Sequence, residues 1–300
     1  MQVSIIIVNY NTPDLVEQCL QSIAKMVHGC SYEVIVVDNA SEDDSAKRLS
    51  ACKDIRLIVA DSNLGFGKAN NLGATKASGD ILFFLNPDTI LCNDAVTILL
   101  DYLAKNPQAG IVGGNLFDAD KKPTHSFSRL FPSITQEMDF AAAQLYTRMK
   151  YGNNRQFNHT GKPLEVAFIT GADLMIRREL FEEVEGFDKD FFMYYEDTAL
   201  CYKVSQLGHK IISVPEAEII HLEGKSFNVS QAREDRIQDG RYLFFHKFHS
   251  PIYNNVADLL NKASMQVAKI LCKLTGKTAR YERYACRYKA YKTAIKKYKL

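Results

Sequence analysis

The sequence predicts an α/β protein: a mostly parallel central sheet with helices on both faces, forming three layers. Three observations predict it. Over the first 115 residues, short runs rich in Val, Ile and Phe alternate with segments whose apolar residues recur at helical spacing. The intervening segments are long enough for the right-handed helical crossovers that join parallel strands. The apolar runs also end on polar residues, at the strand ends where such sheets gather ligands.

The elements follow in order. Val3–Val8 reads as a strand, followed by Thr12 as N-cap and Pro13 at the first helical position, with Leu15, Val16, Cys19, Leu20 and Ile23 on one helix face. Glu33–Val37 is a second strand ended by Asp38, and Ser41-Glu-Asp-Asp44 has the spacing of a capping box for the next helix. Ile55–Ala60 is a third strand and Gly67–Lys76 a helix. Ile81–Leu85 is a fourth strand, apolar throughout as if buried on both faces. Pro87 cannot donate to a ladder, so this strand stops at Asn86-Pro87-Asp88 and aims Asp88 out of the sheet edge. Ala95–Ala104 is a helix and Gly110–Gly113 a short fifth strand. Residues 116–165 show no clear order. Beyond them Leu164–Thr170 and Leu174–Ile176 read as strands around Gly171, Arg178–Val184 and Thr198–Leu207 as helices, and Ile211–Val214 as a last strand. No internal repeat is visible.

Composition narrows the class. A chain of 300 residues, 46% hydrophobic, buries one large core or two fused ones. Seven scattered cysteines without a C-x-x-C pair argue against a zinc ribbon and a disulfide framework, and favour a reducing cytosol. The first residues carry no basic leader, and no apolar run approaches the roughly 18–20 residues needed to span a bilayer. A cytoplasmic protein is therefore expected, neither exported nor membrane-spanning. The formal net charge is +2, yet residues 251–300 hold twelve Lys/Arg against Asp258 and Glu282, a net +10, so residues 1–250 carry −8. In that tail Tyr281, Tyr284, Tyr288, Tyr291, Ile295 and Tyr298 form one helical stripe among Arg280, Arg283, Arg287, Lys292, Lys296 and Lys299. The expectation is peripheral docking of 262–300 on the inner face of an anionic membrane; the alternative packs the stripe on the body or on a second subunit of a homodimer. Nucleic acid is not an expected partner, for no binding module is recognisable.

The turn after the first strand reads NYNTPD, which lacks the glycine fingerprint of a dinucleotide site. Seven stretches instead resemble the family 2 glycosyltransferases: VSIIIVNYNTPDLVEQCLQSI, EVIVVDNASEDDS, NLGFGKANNLG, GDILFFLNPDT, TGADLMIRRELFEEVEGFD, YYEDTALCYKVSQLGHKI and IIHLEGKS. They run in family order through about residues 3–227, and the NPD, VDNAS and HLEGKS forms are most similar to the rhamnosyltransferase branch. The resemblance implies a GT-A nucleotide-diphospho-sugar transferase fold: 1–115 as the nucleotide-sugar-binding half, 116–250 as the acceptor-binding and catalytic half, and 251–300 as a basic helical tail. It implies an inverting transfer from a UDP- or dTDP-sugar donor to a hydroxyl of a glycan or lipid-linked acceptor.

The resemblance also implies residue roles. Nucleotide-sugar contacts fall to Val8, Tyr10, Asp38, Lys68, Asn70, Asn86, Asp88, Gly171 and Ala172. Asp38 matches the acid that accepts the N3–H of a pyrimidine, which as an acceptor-only group suits uracil or thymine; otherwise it is a turn aspartate. Tyr10 matches the aromatic against the base. Asn70 stands where many relatives have a basic residue against the diphosphate, and Lys68 is the nearby cation. Asp88 matches the last acid of the D-x-D motif that holds a divalent cation, Mg²⁺ or Mn²⁺, while Asn86 replaces its first acid; His221 matches the histidine completing the metal site. Asp197 matches the general base and Glu196 its acidic neighbour, at a helix start whose dipole is expected to keep the base's pKa low. Two alternatives stay open: a nucleotidyltransferase, whose Gly-rich basic loop NYNTPD lacks, and an assembly subunit that binds sugar nucleotides without turnover.

Overall fold

The computed structural model describes residues 2–222 and 231–298. The elements are β1 (Val3–Asn9), α1 (Pro13–Met26), β2 (Tyr32–Asp38), α2 (Ser45–Ser50), β3 (Arg56–Val59), α3 (Phe66–Ala74), β4 (Ile81–Leu85), β5 (Thr89–Leu91), α4 (Ala95–Lys105) and β6 (Ala109–Phe117). They continue as β7 (Phe127–Ser128), α5 (Ile134–Ala141), α6 (Leu145–Tyr151), β8 (Leu164–Val166), β9 (Phe168–Ile169), β10 (Asp173–Arg177), α7 (Arg178–Glu183), α8 (Glu196–Gln206) and β11 (Lys210–His221). Three helices follow: α9 (Gln231–Phe248), α10 (Pro251–Leu274) and α11 (Thr278–Tyr298).

The chain forms two compact units, the first comprising residues 1–129, 153–192 and 196–223, the second 130–152, 193–195 and 224–300. In the first, the sheet order is β3-β2-β1-β4-β10-β6-β11-β5, with β8 on β11. Strands β1 to β4 run parallel, β6 and β11 run parallel to each other, and β10 pairs antiparallel between β4 and β6. Both faces are covered. Phe83 joins the cluster beneath α1 and α4 with Val16, Ile23 and Leu99, whereas Phe84 on the other face meets Phe181 at 5.0 Å and Phe187 at 4.8 Å between ring centroids. All five side chains of β4 are at most 2% exposed; at about 1.5–3 kcal/mol per buried large apolar side chain, this strand anchors whatever its end carries. Helix α3 approaches β1 closely because residue 73 is glycine, where a Cβ would stand 2.6 Å from Ile6 Cγ2.

Several expectations change. The fifth strand is nine residues long rather than four, and β5 was not foreseen. The last strand does not stop at Val214: β11 runs on through Pro215 to His221, because a register shift against β6 between Ser213 and Glu218 accommodates a residue that cannot donate to a ladder. The middle stretch, 116–165, whose elements the sequence did not order, contains β7, α5 and α6. Thr12 does not cap α1 through its side chain; its hydroxyl donates to Asn9 Oδ1 at 3.1 Å. Ser41 does not open a capping box, since α2 begins at Ser45 and the Ser41 hydroxyl is spent on Asp38.

In the second unit the tyrosine stripe of α11 packs mainly on α9 and α10, as the intramolecular alternative expected. Tyr291 is 6% exposed and donates to the Asp258 carbonyl at 3.3 Å, and Tyr298 stacks on Tyr242. Beneath it, buried Arg241 donates to Glu137 at 2.7 Å and to Asp258 at 2.9 Å. All seven cysteines are free, and among the described residues no helix is long and apolar enough to cross a membrane.

Asp173 in β10 is wholly buried; its Oδ2 accepts Gly114 N–H at 2.5 Å, while its Oδ1 has no partner among the described residues. Burial raises its pKa well above the ordinary aspartate value of 3.8, opposed only by that bond. An acid with a raised folded-state pKa takes up a proton on folding, so its stabilisation is complete below the unfolded pKa and is lost as pH rises toward the folded one. Asp173→Asn is therefore expected to flatten the fall in stability from pH 4 upward, measured by urea unfolding at a series of pH values.

Candidate active site

The sequence-predicted residues collect at the carboxyl ends of β1, β2 and β4 and at the start of α8. Asn9 and Asp38 are register partners at the ends of β1 and β2. Asp38 is 1% exposed; its Oδ1 accepts from Asn9 Nδ2 at 2.7 Å and Ser41 Oγ at 2.6 Å, and its Oδ2 from Ser41 N–H at 3.2 Å. Among the described residues one lone pair on Oδ2 has no donor. Val8 is buried one residue before the end of β1, and Tyr10 just beyond that end is 40% exposed, a ring able to lie against a flat base.

The loop into α3 is held by a network that sequence reading noticed only as polar strand ends. Asn39 Nδ2 donates to Asn63 Oδ1 at 3.0 Å, Asn39 Oδ1 accepts Leu64 N–H, and Asn63 Oδ1 accepts Gly65 N–H. Gly65 has φ +79°, and a Cβ there would lie 2.2 Å from the Phe192 carbonyl oxygen, so only glycine fits. In the helix that follows, Asn70 is 1% exposed and donates to the Phe66 carbonyl, which turns it into its own backbone; Lys68 is the exposed cation of that first turn.

After β4 the backbone of Asn86 donates to Ala172 O at 2.9 Å, which extends the β4–β10 ladder by one bond. Strand β5 then pairs with the end of β11 so that Thr89 faces His221, and Leu222 N–H donates to Asp88 O. This brings His221 Nε2 to 3.2 Å from Asp88 Oδ1 and 3.4 Å from Asn86 Nδ2. Asn86 Oδ1 is buried with no partner among the described residues. A carboxylate, an imidazole and an orphaned amide oxygen fit a divalent cation whose shell is completed by phosphate oxygens. They do not make a cage, for no group of three or more His, Cys, Asp or Glu able to hold a metal occurs among the described residues. The Glu223–Ser226 part of the HLEGKS stretch, and Lys299 of the tail, lie outside the described residues.

Asp197 sits in the first turn of α8, entered through Tyr194 and Tyr195, both at φ +72°. Its Oδ1 accepts from Thr198 N–H at 2.6 Å and Thr198 Oγ at 3.1 Å, and its Oδ2 from Gly171 N–H at 2.8 Å. Gly171 and Ala172 thus tie the acid to the Asn86-Pro87-Asp88 turn through two adjacent backbone groups. The expected low pKa is corrected: burial raises Asp197 above 3.8, outweighing the bonds from Thr198 and Gly171 and the charge of His125. Glu196 is 5% exposed. His125 was not foreseen; it lines a cavity of about 230 Å³ with Arg155, His159, Asn153, Gln156 and Thr124. It lay in the stretch without periodicity, and its sequence neighbourhood carries no signal of a site.

The mixed sheet with its polar strand ends defines the GT-A class of glycosyltransferase fold. A crystallised mannosyltransferase from Pyrobaculum calidifontis, in complex with GDP-Man and Mn²⁺, superposes with TM-score 0.60 at 19% identity over 98% of this chain and 84% of its own. The profile of Glycosyl transferase family 2 matches residues 4–185, and the chain belongs to that family. It is 27% identical over 236 residues to the N-acetylglucosaminyl-diphospho-decaprenol L-rhamnosyltransferase of Mycobacterium tuberculosis, covering 74% of this chain and 76% of the relative. It is 26% identical over 254 residues to the O-antigen biosynthesis protein RfbC of Myxococcus xanthus, covering 83% of this chain but spanning only 19% of that much longer relative. Other relatives also bear rhamnosyltransferase names, one of them a dTDP-rhamnosyl transferase. The protein is a rhamnosyltransferase-like glycosyltransferase of family 2.

Ser41→Ala removes the 2.6 Å bond to Asp38; a hydrogen bond to a charged group contributes about 1.5–3 kcal/mol, and a loss of that size is expected in urea denaturation.

Proposed function

We propose that the enzyme transfers a sugar with inversion from a UDP- or dTDP-activated donor to a hydroxyl of a lipid-linked or cell-surface glycan, with Asp197 as general base. The observation that carries this reading is the asymmetry of the Asp197 carboxylate. Oδ1 is saturated by the amide and hydroxyl of Thr198, whereas Oδ2 accepts one hydrogen bond among the described residues, from Gly171 N–H. Oδ2 therefore has a lone pair to receive the acceptor's proton. The acceptor oxygen bonds to the anomeric carbon, the bond from that carbon to the diphosphate oxygen breaks with its electron pair, and the proton passes to Oδ2. A raised pKa matches this base to neutral pH better than an ordinary aspartate would.

The donor's base is read as stacking on Tyr10 and donating its N3–H to Asp38 Oδ2, with Lys68 near the diphosphate. Asp88 and His221, with Asn86 Oδ1, would hold Mg²⁺ or Mn²⁺. Such a cation supplies positive charge to the diphosphate as it departs. The cavity lined by His125, Arg155 and His159 suits an anionic group of the acceptor, and the charge of His125 reaches Asp197, whose pKa it lowers. The relative named for a diphospho-decaprenol acceptor supports a lipid-linked substrate, and the dTDP-rhamnosyl name supports a deoxythymidine donor. Seven free thiols fit the cytoplasmic side of a membrane, where peripheral association would bring the enzyme to such an acceptor.

Asp197→Asn is expected to lower transfer by about 10²–10⁴-fold while donor binding, read by thermal shift, is retained; near-normal turnover would remove the base. The acid limb of the wild-type kcat/KM profile is expected above pH 3.8, because Asp197 must be ionised and burial raises its pKa. Asp88→Asn and His221→Ala are each expected to weaken Mn²⁺ binding in the presence of UDP by about tenfold or more, measured by calorimetry.

A further inference from the structure

Helix α10 is amphipathic in the inverse sense. Its buried side chains are Asn254, Ala257, Asp258, Asn261, Met265 and Cys272, three of them polar, with Asp258 paired to Arg241 inside the second unit. Six of the side chains it exposes form a large apolar row, with Leu271 at 55% beside it: Ile252 is 79% exposed, Val256 41%, Leu259 66%, Val267 54%, Ile270 59% and Leu274 78%. At 3.6 residues per turn these six fall within an arc of about 80°, opposite the buried face, on a helix about 36 Å long. Twelve of the sixteen large apolar side chains that the described residues expose lie in this second unit, so the feature is concentrated and not a scatter of single surface residues.

Charge selects the occupant. Lys262 and Lys273 are exposed along one flank of the row, and Asp258, the one acid in α10, is buried. With +10 on residues 251–300, a second copy laid against the row would bring like charge to like charge, whereas an anionic surface complements it. A helix with an apolar face and flanking lysines lies flat in the headgroup–acyl boundary of a bilayer. We propose that α10 is the membrane-docking element, its Ile252–Leu274 row inserting into the interface of an anionic bilayer. The tyrosine stripe of α11 is turned largely inward and serves the packing of the unit. The proposal rests on the lipid-linked acceptor reading for its purpose, and on exposure and charge for its geometry.

Full-length protein is to be sedimented with vesicles of phosphatidylcholine and phosphatidylglycerol at 3:1, and with phosphatidylcholine alone. Binding to the anionic vesicles is expected, with at least a tenfold loss of bound fraction in Leu259→Asp/Ile270→Asp and a smaller loss in Lys262→Glu/Lys273→Glu. Both variants alter exposed positions, and unchanged far-UV circular dichroism checks their folding. Wild-type indifference to anionic vesicles, equal binding by the double-aspartate variant, or equal binding to neutral lipid would overturn the proposal. So would a wild-type dimer in sedimentation velocity that Ile270→Asp dissociates while lipid binding is absent. Transfer to a short water-soluble acceptor separates the two readings: turnover without vesicle binding removes docking alone, and vesicle binding without turnover removes the transferase chemistry alone.

Discussion

The antiparallel pairing of β4 with β10 is the constraint on which the site depends. It inserts a reversed strand between the parallel set β1 to β4 and the parallel pair β6 and β11, and carries the ladder one bond past the end of β4, from Asn86 N–H to Ala172 O. The residue before Ala172 then donates to Asp197. Two consecutive backbone groups thus fix the Asn86-Pro87-Asp88 turn and the acid of α8 against one rigid frame. A catalytic constellation needs such support, because small errors in placement cost orders of magnitude in rate. The fully buried residues of β4 supply the rigidity.

Along that frame four aspartates occupy four environments. Asp38 is buried but accepts three hydrogen bonds; Asp88 faces an imidazole; Asp197 balances burial against two amide donors and a hydroxyl; Asp173 has a single donor among the described residues. For Asp173 and Asp197, burial disfavours the charged form and hydrogen bonds oppose that effect. Asp173 is the extreme, with its pKa driven well up, and Asp197 is raised against more opposition.

The second unit follows a different logic. Its interior holds the Arg241–Glu137–Asp258 triad and several amides, while apolar side chains face outward on α10. Breaking a buried charge network by removing one partner typically costs about 3–5 kcal/mol, so this interior fixes one arrangement of helices. Outward apolar surface of this extent is a burden to a soluble protein unless something covers it.

What the sequence determined by itself was local. The apolar runs of β1, β2 and β4, the helix after Thr12-Pro13, and the ordered motifs that carry the family resemblance need only neighbouring residues to be recognised, because strand and helix periods are short-range signals. The acids 38, 88 and 197 were legible through those motifs. Tertiary structure decided the rest. Strand β5 has three residues and β11 crosses a proline, so their pairing, which sets His221 beside Asp88, exists only once β6 supplies the shifted register. The raised pKa of Asp197 depends on how much protein surrounds it, and desolvation is a sum over neighbours distant in sequence. In the tail the sequence displayed the tyrosine stripe without saying what would cover it. The fold buries Tyr291 of α11, half-buries its other tyrosines and leaves Ile252, Leu259, Ile270 and Leu274 of α10 outside, because Asp258 on the opposite face of α10 pairs with Arg241.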